Sequence, residues 1–128
     1  PEQSLSVTFV HHLVPMTRGI LSTCYASLVS GKVAAGKGGE DEVRQLYLDF
    51  YKAEPFVRIA ERPPHTKHVS GNNLCLLYPT VDQRTGRLIV ISCLDNLIKG
   101  AAGQAVQNMN LMLGIPETTG LEVVSIYP

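Results

Sequence analysis

Residues 88–114 read LIVISCLDNLIKGAAGQAVQNMNLMLG, a stretch that predicts a strand followed by a helix. The apolar, β-branched run from Leu88 to Leu94 is typical of a buried strand, and it ends at Asp95. Beyond Asn96, apolar residues recur at spacings of three and four, which places them on one face of a helix. These residues are Ile98, Ala101, Ala102, Ala105, Val106, Met109, Met112 and Leu113.

Both ends of this helix can be read from the sequence. Asp95 or Asn96 can cap its start, because a short polar side chain there accepts hydrogen bonds from the free amides of the first turn. Gly114 ends it, since glycine enters the left-handed cap at low cost, and Pro116 prevents continuation. The first turn, residues 99–103 (KGAAG), has almost no side chains. Its two glycines cost about 1 kcal/mol each relative to alanine, so either tight packing on the sheet or a ligand against the helix start must favour them.

The remainder of the chain predicts further strands, one more helix and two long loops. The predicted strands are Leu5 to Val14, Ile20 to Val29, Phe56 to Ala60, Leu74 to Val81 and Arg87 to Leu94. Glu40 to Lys52 is predicted to be helical because its apolar residues form one stripe. That stripe consists of Val43, Leu46, Tyr47, Phe50 and Tyr51. Residues 30–39 and 61–73 are rich in glycine, proline and polar residues and predict loops, and residues 121–127 predict an extended tail.

This order of elements predicts one α+β domain over residues 1–128. We expect an antiparallel or mixed sheet of about five to six strands, with the two main helices on one face. Along the last strand, Val90 and Leu94 lie on one side, while Ile89 and Ile91 lie on the other. Both faces are therefore apolar, whereas a half-solvated sheet would alternate with polar residues. Two helices on one face leave the other bare, so we expect it to meet a second copy of the chain.

Composition narrows the class of protein. The 11 Lys and Arg residues balance the 11 Asp and Glu residues, so the charge expected of a nucleic-acid binder is missing. No apolar run approaches the roughly 20 residues that span a bilayer. Cys24, Cys75 and Cys93 lie in apolar runs and are expected to be reduced core thiols of a cytoplasmic protein. The start at Pro1 suggests a fragment or a processed piece.

The histidines do not predict a metal site. Adjacent residues on a strand point to opposite faces, so His11 and His12 cannot bind the same metal ion. No third residue lies at the spacing typical of zinc ligands. We expect one to lie in the core or in an interface and the other to be exposed. His65 and His68 flank Lys67 in the predicted loop 61–73, where solvated polar residues are the more common outcome.

Three segments together resemble the N-acetyl-gamma-glutamyl-phosphate reductase family. Residues 11–20 (HHLVPMTRGI) are similar to the family's PHLxPMxRGI, with His11 where proline is usual. Residues 63–73 (PPHTKHVSGNN) resemble its PxTKxVxGSN loop, with Asn72 replacing serine. Residues 95–108 (DNLIKGAAGQAVQN) are the closest match. The family is related to aspartate-semialdehyde dehydrogenase.

The resemblance implies a glyceraldehyde-phosphate-dehydrogenase-like C-terminal domain that binds substrate and dimerises. It implies that residues 95–128 dock on a nucleotide-binding domain absent from this chain. Such a reductase uses NADPH to convert N-acetyl-glutamyl 5-phosphate, in arginine biosynthesis, to the 5-semialdehyde and phosphate. A cysteine thiolate and a histidine carry the chemistry. The family's motifs for both are absent here, so we assign no catalytic residue and expect the chain alone to be inactive.

The resemblance also indicates binding residues. Arg18 is the best candidate for a substrate carboxylate or phosphate, because the guanidinium fork matches these anions; a surface ion pair is the alternative. Lys67 and Glu2 are weaker substrate-site candidates. The cofactor candidates, expected to face the nicotinamide of NADP, are Asn96 and the amides of Gly100 and Ala101. A homodimer or tetramer through the bare sheet face is the expected assembly.

Two other readings are open. One is a lysine-pathway reductase of the same architecture that acts on a carrier-linked aminoadipyl phosphate. A basic groove would favour it, and the balanced charge of the chain argues mildly against it. The other is a non-catalytic α+β ligand-binding or dimerisation module.

Overall fold

The computed structural model describes residues 6–29, 31–33 and 37–124. In chain order the elements are β1 (Ile20–Ser27), α1 (Lys37–Phe50), β2 (Val57–Ile59), a 3₁₀ turn (Thr66–Val69), β3 (Cys75–Asp82), β4 (Arg87–Leu94), a π-helical turn (Ile98–Ala102) and α2 (Gly103–Met112). The predicted α+β class is confirmed. The described part of the chain forms a sheet of four strands, fewer than the five to six expected.

The four strands form one mixed sheet in the order β1-β4-β3-β2. β4 pairs antiparallel with both β1 and β3, and β2 pairs parallel with β3. The β3–β4 hairpin turns at Gly86, whose φ of 66° is accessible to glycine. In the β1–β4 pair, Ile20 lies opposite Leu94. The start of β1 and the end of β4 therefore lie at the same end of the sheet, away from the hairpin.

The predicted strand from Leu5 to Val14 is wrong where the structure describes it. Residues 6–14 are exposed and belong to no strand, and Phe9 and Leu13 are 81% and 100% exposed. The residue types favour an extended chain, but a strand also needs a neighbour that pairs with its amides and carbonyls. No strand of the described chain lies beside these residues.

Helix α1 begins at Lys37, three residues before the predicted start, so the predicted loop 30–39 was too long. Its apolar stripe is divided: Val43 is buried, whereas Leu46 and Phe50 are 65% and 76% exposed. Burial raises the pKa of Tyr47, with smaller contributions from Tyr51 and Cys24. Tyr47 is therefore half-buried and lies near Cys24 of β1.

One face of the sheet carries exposed apolar side chains at the edge strand β1. β1 places Leu21 and Tyr25 on it, and these side chains are 49% and 65% exposed. In β4, Ile89 and Ile91 lie on the same face and are half-buried. Exposed apolar side chains of this kind are typical of a contact surface; that a second copy meets them stays a prediction.

The prediction that the three cysteines are core thiols holds for only some of them. Cys93 is fully buried, and burial, with a contribution from Cys75, raises its pKa to about 11. Cys24 is exposed, which corrects the expectation that it is a core residue. The reason is that β1 is an edge strand with one neighbour, so its side chains have fewer contacts than those of β4.

No helix in the described part of the chain combines the length and apolar character required to cross a membrane. The predicted tail also falls partly within that part. Residues 122–124 have no regular structure, and residues 125–127 lie outside the described residues.

Candidate functional site

Two dipeptides meet at the end of the sheet away from the hairpin. Arg18 and Gly19 precede β1, and Asp95 and Asn96 follow β4; the antiparallel pairing of these strands brings the dipeptides side by side. The Gly19 amide donates to Asn96 Oδ1 at 2.7 Å. Arg18 Nε forms an ion pair with Asp95 Oδ2, also at 2.7 Å. The RG and DN motifs are thus in contact although 77 residues separate them.

Asp95 is the centre of this arrangement. Its side chain is fully buried, and its Oδ1 accepts from the amides of Leu97 and Ile98 at 2.8 and 3.0 Å. Its Oδ2 accepts from the Gly71 amide at 2.7 Å, beside Arg18. Burial acts to raise the pKa of Asp95, but the three amides and Arg18 together outweigh it and lower the pKa below its ordinary value. The carboxylate is therefore held in its charged form.

The loop between β2 and β3 closes over the same corner. Gly19 has a φ of 107°, and a Cβ there would lie 2.6 Å from side-chain atoms of Thr66. No residue with a side chain fits this position without displacing the loop. Val69, in the same 3₁₀ turn as Thr66, is fully buried and anchors the turn. The loop is therefore fixed on both sides, by Thr66 against Gly19 and by Gly71 on Asp95.

The chain that leaves Asp95 opens as a π-helical turn, where the sequence predicted an ordinary helical start. The Gly100 amide donates to the Asp95 carbonyl at 2.8 Å, and the Ala102 amide donates to the Leu97 carbonyl at 3.0 Å. These bonds span five residues and widen the turn; π-turns are rare and frequent at functional sites. Gly100, Ala101 and Ala102 are all exposed. The side-chain-poor opening is therefore an open surface.

The two glycines of this opening have different roles. Gly103 is buried, and a Cβ there would clash with Asn73 Oδ1 and would lie 2.7 Å from Ile98 Cγ2. Packing therefore explains Gly103. Gly100 is exposed, although a Cβ there would lie only 3.3 Å from both the Asp95 carbonyl oxygen and the Leu94 side chain. Its outer side is bare backbone that a flat ligand can approach.

Helix α2 buries polar side chains. Gln107 Oε1 accepts from Asn73 Nδ2 at 3.1 Å and from Lys99 Nζ at 2.6 Å, and its Nε2 donates to Glu117. Asn110 donates to backbone carbonyls of the segment that follows the helix. Burial lowers the pKa of Lys99 despite its acidic neighbours. A hydrogen-bonded network thus holds α2 to its own domain.

The apolar side of α2 faces outward. Met109 and Met112 are 48% and 86% exposed, and Leu113 is 66% exposed. Ala105 and Ala101, about one and two turns before Met109 on the same side, are exposed as well. An ordinary surface helix does the reverse, burying its apolar stripe and exposing polar residues. This outward stripe begins at the open π-helical turn, so the two form one continuous surface.

The structure gathers most of the predicted site residues. Arg18, Asn96, Gly100 and Ala101 lie around the corner formed by the two dipeptides. Lys67 is exposed in the loop that closes over it, and Glu2 lies outside the described residues. Arg18 makes the ion pair considered as its alternative role, but the side chain is still 31% exposed.

One expected detail needs correction. The Gly100 amide is engaged by the Asp95 carbonyl, so it is not free to face a cofactor. For Asp95 the local sequence predicts only a helix cap. Its contacts with Gly71 and Arg18 span 24 and 77 residues, and nothing in the local sequence signals such distant partners.

The chain is similar to proteins of one known family. Residues 1–96 match the family model described as the semialdehyde dehydrogenase, dimerisation domain. The chain belongs to the semialdehyde dehydrogenase family. The match ends at Asn96, so it includes the sheet and both dipeptides and excludes α2.

Members of this family with high similarity are named N-acetyl-gamma-glutamyl-phosphate reductase. The protein from Dehalococcoides mccartyi is 56% identical over 122 residues, which is 95% of this chain and 34% of the relative. Those from Pelotomaculum thermopropionicum and Geobacter metallireducens are 53% and 54% identical over 98% and 97% of the chain, and 35% of each relative is covered. The chain spans about a third of the length of these curated relatives.

Proposed function

We propose that this chain is the C-terminal substrate-binding and dimerisation part of an NADPH-dependent reductase. The full-length protein would convert N-acetyl-glutamyl 5-phosphate to N-acetyl-glutamate 5-semialdehyde and phosphate, in the cytoplasm, as a step of arginine biosynthesis. The observation that carries this proposal is the 50–56% identity to reductases of that name along nearly the whole chain.

In this proposal Arg18 binds an anionic group of the substrate. Its Nε is held by Asp95, while the side chain is still partly exposed, so the guanidinium can meet a carboxylate or a phosphate from a fixed position. Lys67 adds positive charge from the loop that closes over the corner. Glu2 is proposed to help position the substrate site from the segment before the described residues.

The corner also suits the nicotinamide end of NADPH. The surface of Gly100 and Ala101 carries no side chain beyond a methyl group, so a flat ring can lie against it. Because Asn96 Oδ1 already accepts from Gly19, the side chain is oriented and can offer its Nδ2 to a carboxamide oxygen. When bound, NADPH supplies the hydride. The residues of this chain orient the ring and exclude water from one side of it.

The nucleophilic cysteine and the catalytic histidine are proposed to lie in the part of the full-length protein that this chain does not include. The outward stripe of α2, with Met109 and Met112, is proposed to dock on the nucleotide-binding domain. The sheet face that carries Leu21 and Tyr25 is proposed to meet a second copy, in a dimer or tetramer.

The test is an assay of the full-length protein with NADPH and N-acetyl-glutamyl phosphate, or in reverse with semialdehyde, phosphate and NADP. We expect turnover with this substrate and none by the 128-residue chain alone. A preference for a carrier-linked aminoadipyl phosphate would assign the protein to lysine synthesis. Absence of turnover with either substrate would favour a non-catalytic module, and turnover by the chain alone would refute the proposed division of labour.

A further inference from the structure

Asp95 contacts more separate segments than a helix cap requires. A cap accepts from one or two amides of the first turn, and Oδ1 does this with Leu97 and Ile98. Oδ2 instead reaches the Gly71 amide and Arg18 Nε, both at 2.7 Å. One buried carboxylate therefore joins the segment before β1, the loop before β3 and the start of the π-helical turn.

A second aspartate in the same hairpin provides the contrast. Asp82 ends β3 as Asp95 follows β4, and it too accepts from local groups, the Arg84 amide at 3.1 Å and the Thr85 hydroxyl at 2.8 Å. Its arginine partner, Arg84, is two residues away at 3.8 Å and is largely exposed. The contacts of Asp82 are all local, whereas those of Asp95 extend to distant segments.

The ion pair fixes Arg18 in a particular way. Nε is buried and lies against Asp95, while 31% of the side chain is exposed. The guanidinium is thus held from its inner side. Without the carboxylate, the buried part of Arg18 would lose its counter-charge and the side chain would be free to leave the corner.

We propose that Asp95 is a positioning residue that sets the Arg18 guanidinium and the π-helical turn with a single buried carboxylate. This inference rests on the proposed function, in which Arg18 binds substrate and the turn meets the nicotinamide. It makes the two halves of the binding site mechanically dependent on each other. Errors of about 1 Å in such groups cost an enzyme about 100-fold in rate, so the dependence has a measurable consequence.

The experiment uses the full-length protein with the isosteric variant Asp95→Asn. We expect the KM for the acyl phosphate to rise about tenfold and the directly measured NADPH affinity to fall at least threefold. Arg18→Gln is expected to raise the same KM and, because it removes the counter-charge of Asp95, to weaken NADPH binding by less than Asp95→Asn does. In the double variant, the KM is expected to equal that of Arg18→Gln, because Asp95 acts on substrate through Arg18. Asp82→Asn is the matched control and should change neither quantity.

Several outcomes would overturn the proposal. An Asp95→Asn protein that folds and keeps both values shows that the residue is only structural, and multiplicative effects in the double variant show that it does not act through Arg18. If Asp95→Asn does not fold, amide exchange in Arg18→Gln decides. Faster exchange at Leu97 and Ile98 supports the coupling, and unchanged exchange refutes it. Failure of the proposed function is separate, because it appears as inactivity of the unmodified protein.

Discussion

The two main helices bury opposite kinds of side chain. Helix α1 buries an apolar residue, Val43, at 3% exposure, and directs much of its charge to solvent. Helix α2 buries Gln107 and Asn110, and exposes Met109 and Met112. Both helices belong to one small domain, yet α1 buries part of its apolar stripe there, whereas α2 buries polar side chains.

The difference shows that an apolar stripe indicates a contact surface. It does not show whether the contact is with the helix's own domain or with another one. In α1 the partner is the domain's own sheet. In α2 the polar side chains hydrogen-bond to the rest of the domain, and the apolar stripe is left exposed for contact with another surface. Burial of polar groups is tolerable there because Gln107 and Asn110 have hydrogen-bond partners.

The largest effect should come from placing a charge on the outward stripe. In the full-length protein we expect Met109→Glu to lower reductase activity about 100-fold, because burying an unpaired carboxylate against another domain costs several kcal/mol. Activity and the oligomeric state are measured together. Met109→Leu, which keeps the apolar surface, should retain most of the activity. Equal activity of the two variants would show that the stripe has no partner.

A smaller loss should follow from removing the polar core of α2. Gln107→Leu leaves Asn73 Nδ2 and Lys99 Nζ without their acceptor, and we expect a cost of about 2 kcal/mol in the free energy of unfolding. Denaturant unfolding of the full-length protein measures it. Gln104→Leu, on the exposed side of the same helix, should change stability by less than about 0.5 kcal/mol. A stabilised Gln107→Leu protein would mean that α2 is held by apolar contacts instead.

The two glycines at the start of α2, Gly100 and Gly103, should differ in what their substitution by alanine impairs. Gly103→Ala introduces a Cβ 2.7 Å from Ile98 Cγ2, and we expect a net loss of about 1–2 kcal/mol despite the better helix propensity of alanine. Gly100→Ala meets its neighbours at 3.3 Å and should change stability by less than about 1 kcal/mol. We expect it to weaken NADPH binding instead. Thermal unfolding and cofactor titration separate the two effects, and the reverse order would contradict the assignment of packing to Gly103.

The smallest expected effect is on the stability of the folded protein at low pH. Asp95 has a lowered pKa, so its contribution to stability is complete above its unfolded-state pKa of about 3.9 and is lost as the pH falls through the folded-state pKa. We expect Asp95→Asn to be less stable than the unmodified protein at pH 7, with the difference shrinking below about pH 4. Melting temperatures across that range test this. A difference that grows with acid would mean that the pKa of Asp95 is raised.

Much of the fold could be predicted from local pattern. β3, β4 and both helices follow from their apolar patterns, and β1 follows from its Ser, Thr, Cys and Tyr content and its flanking glycines. Asp95 and Gly114 mark the ends of the last helix. Residues 6–14 show the limit of this approach. Their β-branched and aromatic residues predict a strand, but whether a strand forms depends on a neighbour that local sequence does not specify.

The sequence motifs predicted which residues belong to the candidate site. They did not predict how those residues contact each other. The resemblance indicated Arg18 and Asn96, and the structure places them in adjacent dipeptides. The long-range role of Asp95 could not be read, because its partners lie 24 and 77 residues away. The π-helical turn was also missed, since a five-residue bond pattern leaves the apolar spacing of the helix almost unchanged.

The opposed environments of the sheet's thiols have a practical consequence. Cys93 is buried with a raised pKa of about 11, so little reactive thiolate exists there at neutral pH. Cys24 lies exposed on the edge strand β1. Among the cysteines of this chain, a maleimide dye should therefore attach first at Cys24, which would give a fluorescent reporter of subunit assembly without an introduced cysteine.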